Sequence, residues 1–167
     1  SNIVLIGFMG SGKSTVGKVL APRLSKKFVD LDHMIVERAG RSIPEIFATD
    51  GEAAFRQLES QVLADVLTNS NQVISTGGGA VLAEANRQLM RENGLVVWLR
   101  TDVDVLIQRM QYDTTRPLLQ GDAKANITRI LEERREAYNF ATLEIDTGRL
   151  SVEEAVQAIA NYYKQAE

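Results

Sequence analysis

Eight residues carry a strong chemical signal: Gly7-Phe8-Met9-Gly10-Ser11-Gly12-Lys13-Ser14 reads G-x-x-x-x-G-K-[ST], the phosphate-binding P-loop pattern. A short apolar run, Ile3 to Ile6, precedes it, and a helical pattern begins near Lys13. Strand, glycine turn and helix start are the context that lets backbone N–H groups face a phosphate. Side chains at Gly10 or Gly12 are expected to intrude on that space. Lys13 can reach β- and γ-phosphates as a point charge. The Ser14 hydroxyl is the expected protein ligand to Mg²⁺, which takes few protein ligands and keeps waters. The expected ligand is a nucleotide.

A second group is acidic. Asp30-Leu31-Asp32 closes a short apolar run. In an extended segment residues i and i+2 point the same way. Asp30 can then hold waters of Mg²⁺, and Asp32 can accept or orient a substrate hydroxyl proton. Asp32 as the N-cap of the next helix is an equal alternative. Arg56 and Glu59 stand i, i+3 on a helical stretch and can pair, alone no more than a surface pair. Gly77-Gly78-Gly79 after an apolar run allows close backbone approach, an anion nest, or only a flexible turn. Ser75 stands where many P-loop enzymes carry an acid that serves Mg²⁺, so a metal contact there would run through water. Arg116 sits in a polar Thr/Pro/Gly-bounded segment with the look of a lid, and a lid arginine can stabilise transferring phosphoryl charge. Arg134 and Arg135 are surrounded by Glu132, Glu133 and Glu136, so a solvated face is their plain reading.

The elements that must position these residues follow from periodicity. Strands are expected at 3–6, 27–30, 73–75, 95–99 and 143–146, and helices at 13–25, 32–39, 83–92, 102–110, 122–139 and 152–165. The stretch 44–68 reads as helix broken near Asp50-Gly51, with Ser42 as an N-cap, and Ser151 caps the last helix. Five apolar strands alternating with helices define an α/β fold: an open parallel sheet flanked by helices. In such sheets ligands bind at the carboxyl ends of the strands, where all the groups above lie.

Totals bound the rest. The chain has 167 residues, enough for one domain, and a net charge of −3, which gives no general attraction to nucleic acid or anionic membrane. There is no cysteine and one histidine, so thiolate and histidine-rich metal sites are excluded. No apolar stretch reaches membrane-spanning length. Strand one begins almost at once, which leaves no room for a signal peptide, and a cytoplasmic monomer is the simple expectation. Ser1 and Asn2 are set aside from the fold reasoning.

Taken in order, the P-loop, Asp30-x-Asp32, Phe55-Arg56-x-x-Glu59, Gly77-Gly78-Gly79-Ala80 and Arg116-Pro117-Leu118-Leu119 closely resemble shikimate kinase over nearly the whole chain. The resemblance implies a P-loop fold of the nucleoside-monophosphate-kinase type. It would have substrate-binding helices at about 32–62 and a mobile lid at about 111–122. It implies transfer of the γ-phosphate of ATP to the 3-hydroxyl of shikimate with Mg²⁺, on the path to chorismate and aromatic amino acids. Carried over by position, Gly10, Ser11, Gly12, Lys13, Ser14 and Thr15 hold ATP phosphates. Ser14 and Asp30 serve Mg²⁺, and Asp32 is the base on the shikimate hydroxyl. Arg56, Gly77, Gly78, Gly79 and Arg134 bind shikimate, with Glu59 orienting Arg56. Arg134 is chosen over Arg135 because it lies four residues before Tyr138. Arg116 closes on ATP, Arg109 lies against adenine, and the loop at 147–149, with Arg149, adds a further adenine contact. Lys13, Asp32 and Arg116 form the catalytic set. A gluconate or nucleoside monophosphate kinase is the nearest alternative. A GTPase-like module is disfavoured because an Asn-Lys-x-Asp motif is absent.

Overall fold

A computed structural model describes residues 1–110 and 122–166. Five strands form one parallel sheet: β1 (Asn2–Ile6), β2 (Lys27–Asp30), β3 (Gln72–Ser75), β4 (Gly94–Arg100) and β5 (Leu143–Asp146), in the order β2-β3-β1-β4-β5. Between and around them lie α1 (Lys13–Arg23), α2 (Leu31–Ala39), α3 (Ile43–Asp50), α4 (Glu52–Val66), α5 (Glu84–Asn93), α6 (Val103–Met110), α7 (Ala123–Tyr138) and α8 (Val152–Ala166). A single 3₁₀ turn, Ala80–Leu82, follows the glycine triplet. The expected lid, 111–122, lies outside the described residues except for Asp122, and Arg116 falls in that stretch.

β1 is apolar on both faces because both faces are covered. Val4 and Ile6 pack with Leu31, Ile35, Phe55, Leu63 and Ile74 on one side. Ile3 and Leu5 pack with Val16, Leu20, Val97, Val156 and Ile159 on the other. A third, smaller cluster of Phe8, Leu106, Met110 and Ile127 ties the P-loop to α6 and α7. The chain leaves β1 toward β2 and later crosses to β4, so β1 lies at the switch point, where a crevice opens above the strand ends.

Three expectations change in detail. β2 runs into α2 with no loop, so Asp32 lies in the first helical turn and not in an extended segment. Asp30 is the N-cap: its Oδ1 accepts from the Asp32 N–H at 3.0 Å and the His33 N–H at 3.4 Å. Asn2, set aside from the sequence, belongs to β1. Its Oδ1 accepts from the Gln72 backbone N–H at 3.1 Å and its Nδ2 donates to the Asn69 carbonyl at 2.9 Å.

Candidate functional site

The P-loop runs from the end of β1 into α1. Gly10 and Gly12 have φ of 82° and 96°, left-handed values that suit glycine. At Gly12 space is the lesser constraint, since a Cβ would meet only Arg109 Nη1, at 4.0 Å, whereas on Gly10 it would crowd Met110 Cγ at 3.2 Å. Lys13 is nearly buried and folds back over the loop, donating to the carbonyls of Gly7 at 2.5 Å and Phe8 at 3.2 Å.

Two cavities flank this loop. One, of about 340 Å³, is lined by Gly12, Lys13, Ser14, Asp30, Asp32 and Gly78, among others. The other, of about 300 Å³, continues past Gly10, Thr15 and Arg109 to Thr147, Leu150 and Val152. Arg109 spans the two chain segments that shape the second cavity. Its Nη1 donates to the Gly10 carbonyl at 3.1 Å and its Nη2 to the Thr147 carbonyl at 2.5 Å. The buried Thr147 hydroxyl donates to the Ser11 carbonyl at 2.8 Å, pinning the end of β5 to the P-loop. Arg149 does not join them: its side chain is 83% exposed and lies 3.5 Å from Asp146. Thr147 and Ser151, with the apolar Leu150 and Val152, are what the 147–152 segment brings to the cavity.

Ser14 Oγ lies 3.4 Å from Asp30 Oδ2 and 3.3 Å from Ser75 Oγ. Asp30 and Ser75 are paired in register on neighbouring strands, which sets the two side by side. An all-oxygen group of one carboxylate and two hydroxyls at a phosphate-binding loop fits Mg²⁺, which takes few protein ligands and completes its shell with water and phosphate. Among the described residues no cluster of three or more His, Cys, Asp or Glu side chains competes for a metal.

Across the crevice the glycine triplet explains itself by what surrounds it. None of the three has a left-handed φ, so the anion nest is not formed. At two of them, Gly77 and Gly79, side chains fill the space where a Cβ would be. On Gly77 it would lie 2.8 Å from Asp32 Oδ1 and 3.2 Å from Glu59 Oε2. On Gly79 it would overlap the Arg56 guanidinium, whereas on Gly78 it would make only an ordinary contact, 3.4 Å from Arg134 Nη1. Arg134 Nη1 also donates to the Gly78 carbonyl at 3.0 Å, whereas Arg135 lines a separate recess beside Trp98 and Arg100. Arg56 Nη1 donates to Glu59 Oε1 at 2.9 Å, and Glu59 is 1% exposed, so the pair is no solvated surface contact.

The two acids here are both shifted upward. Burial raises the Asp32 carboxyl above the ordinary range and Asp30 adds to it, against the pull of Lys13 and Arg56. Burial likewise raises Glu59, against the pull of Arg56. The site thus pairs a phosphate-binding loop with a half-buried carboxyl of raised proton affinity and two guanidinium groups on its far rim. That combination, on a parallel sheet with β1 at the switch point, defines a P-loop kinase that phosphorylates a small anionic acceptor.

Comparison with known proteins narrows the class. The shikimate kinase family model matches residues 9–164. The shikimate kinase of Geobacter sulfurreducens is 48% identical over 165 residues, covering 98% of this chain and 91% of that protein. The shikimate kinase of Moorella thermoacetica is 49% identical over 146 residues, 87% of this chain and 84% of that protein. A structure of Acinetobacter baumannii shikimate kinase in complex with shikimate superposes with a TM-score of 0.92 at 36% identity, covering 99% of this chain and 94% of that one. The chain belongs to the shikimate kinase family and is an ATP-dependent kinase. A gluconokinase from Sinorhizobium meliloti shares the fold at a TM-score of 0.63 and 20% identity.

Proposed function

We propose that this chain transfers the γ-phosphoryl group of ATP to the 3-hydroxyl of shikimate, with the residue roles that follow. The nucleotide lies along the two cavities, its phosphates under the backbone N–H groups of Gly10 to Thr15 and its base between Arg109 and the 147–152 segment. Lys13 turns from the loop carbonyls to the β- and γ-phosphates. Shikimate lies across the crevice, its carboxylate held by the Arg56 and Arg134 forks, with Glu59 holding Arg56 in plane. The 3-hydroxyl then faces Asp32. As the hydroxyl oxygen bonds to the γ-phosphorus, its proton passes to the Asp32 carboxylate and the bond to the β,γ-bridging oxygen breaks, releasing ADP. A carboxyl raised by burial is a better base for this than an ordinary aspartate.

Ser14 and Asp30 would hold Mg²⁺, directly and through water, and the bound ion would supply neutralisation of phosphate charge. Arg116 is assigned to the ATP side as the lid arginine. One domain acting as a cytoplasmic monomer suffices for this scheme, and no helix among the described residues is long and apolar enough to cross a membrane.

The observation that carries the reading is the single cavity lined at once by Lys13, Ser14, Asp30, Asp32 and Gly78, donor and acceptor groups together. The test is ADP release with Mg²⁺-ATP and a panel of shikimate, gluconate and nucleoside monophosphates. Shikimate-dependent release is expected. Release with gluconate and none with shikimate would overturn the acceptor assignment.

A further inference from the structure

Arg56 must be held in place, and Glu59 occupies only one of its nitrogens. The buried Arg56 Nε makes no hydrogen bond, and its ion-pair contact there, Glu52 at 3.7 Å, is a long one to an exposed side chain. Glu59 Oε2, the oxygen turned away from Arg56 Nη1, is buried and unpartnered too. A third such atom is Asn86 Oδ1. Asn86 sits in the first turns of α5, is 2% exposed, and donates from Nδ2 to the Ala80 carbonyl at 3.0 Å. That bond fixes which way the amide faces and leaves Oδ1 as its spare acceptor. Arg56, Glu59 and Asn86 line one recess of about 250 Å³, closed on one side by Gly79.

One donor and two acceptors, all buried and carried by three residues that line one recess, match the needs of a single ordered water, which typically makes about three hydrogen bonds to otherwise unsatisfied groups. We infer that this recess is a water site joining Arg56 Nε, Glu59 Oε2 and Asn86 Oδ1, and that Asn86 is thereby a positioning residue for the guanidinium that grips the substrate carboxylate. The water accepts from Arg56 Nε and donates to the two oxygens. It also favours the charged form of a Glu59 that burial otherwise disfavours. Asn86 holds both partners of the grip: through Nδ2 the residue after the glycine triplet, through Oδ1 the arginine lying against Gly79. The inference rests on the assignment of Arg56 to the shikimate carboxylate.

The test is a double-mutant cycle read in KM for shikimate and for ATP. Asn86→Ala should raise the shikimate KM roughly tenfold, the scale of one hydrogen bond to a charged group, and leave the ATP KM within about twofold. Asn86→Asp keeps an acceptor oxygen but loses the Nδ2 donor to Ala80, so it should recover part of that loss. In an Arg56→Lys background, which has no Nε–H, Asn86→Ala should add nothing further. If Asn86 only braces the turn at Ala80, Asn86→Ala and Asn86→Asp will be equally impaired, and the losses will add to that of Arg56→Lys. That pattern overturns the inference and leaves the Arg56 assignment standing. An Arg56→Lys enzyme with unchanged shikimate KM overturns both. A crystal structure of the unmutated protein decides without any variant. A water within about 3.2 Å of all three atoms is expected, and a dry recess would refute it.

Discussion

Asp32 is held between opposing forces. Burial and Asp30 favour its protonated form, and Lys13 and Arg56 favour the charged one, with burial the largest. The folded chain therefore binds this proton more readily than the unfolded chain. The contribution to stability is greatest below the unfolded pKa, near 4, and is lost as pH rises through the raised folded value. Asp32→Asn removes that penalty together with the base. At pH 7 the variant should melt a few degrees above the parent, the advantage should vanish by about pH 4, and turnover should fall by roughly 10²–10⁴-fold. Paired melts at the two pH values and a turnover measurement check this; a lower melting temperature at pH 7 would contradict it. Gly79→Ala acts on the same rim. Its backbone tolerates alanine, since φ is −99°, but the new methyl displaces the Arg56 guanidinium. Shikimate KM should rise at least tenfold, with ATP KM and melting temperature nearly unchanged. Arg56, Glu59 and the triplet were visible in the sequence as types and spacings. Why Gly77 and Gly79 are glycine was not, because the side chains that fill their space come from α2 and α4, distant from the triplet in the chain.

At the scale of elements, local chemistry was readable where it is local. Ser42 caps α3 by accepting from the Glu45 N–H at 3.3 Å. Ser151 and Glu154 cap α8 reciprocally, at 3.0 and 3.1 Å. The direct join of β2 to α2 was harder, because Asp30 both ends a strand and caps a helix, and either aspartate suited the cap by type. Gly17 was not readable at all. It lies inside α1, where alanine would ordinarily add up to about 1 kcal/mol of helix stability. Here a Cβ would fall 2.5 Å from Phe28 Cε1 and 3.4 Å from Leu5 Cδ1, so packing of α1 on the sheet overrides propensity. Overpacking of this kind costs about 1–3 kcal/mol. Gly17→Ala should thus lower the melting temperature by roughly 2–4 °C per net kcal/mol. In a Phe28→Leu background the same change should become neutral or stabilising. Calorimetric melts of the four proteins decide it, and a destabilisation that persists without Phe28 would place the conflict elsewhere.

For the whole molecule, the alternation of strands and helices announced a parallel sheet, but strand order is a property of crossings that no local run encodes. That order gives the nucleotide site its character. Its walls come from the end of β1, from Arg109 on α6, and from Thr147 after β5, joined by the hydrogen bonds of Arg109 and Thr147 to the P-loop carbonyls. No partial assembly of these segments retains the site. ADP should therefore bind the native chain and have no grip on the unfolded one, so it stabilises the global transition by RT ln(1 + [L]/Kd). At a hundredfold excess over Kd this is about 2.7 kcal/mol, a rise of roughly 5–10 °C for a chain of this size. Shikimate, gripped from α4 and α7, should add its own increment on top. Each melt should remain a single transition that moves as a unit. Scanning calorimetry with ADP, shikimate and both would show it. A nucleotide that shifts only part of the heat absorption would mean that the P-loop side unfolds independently of the shikimate side.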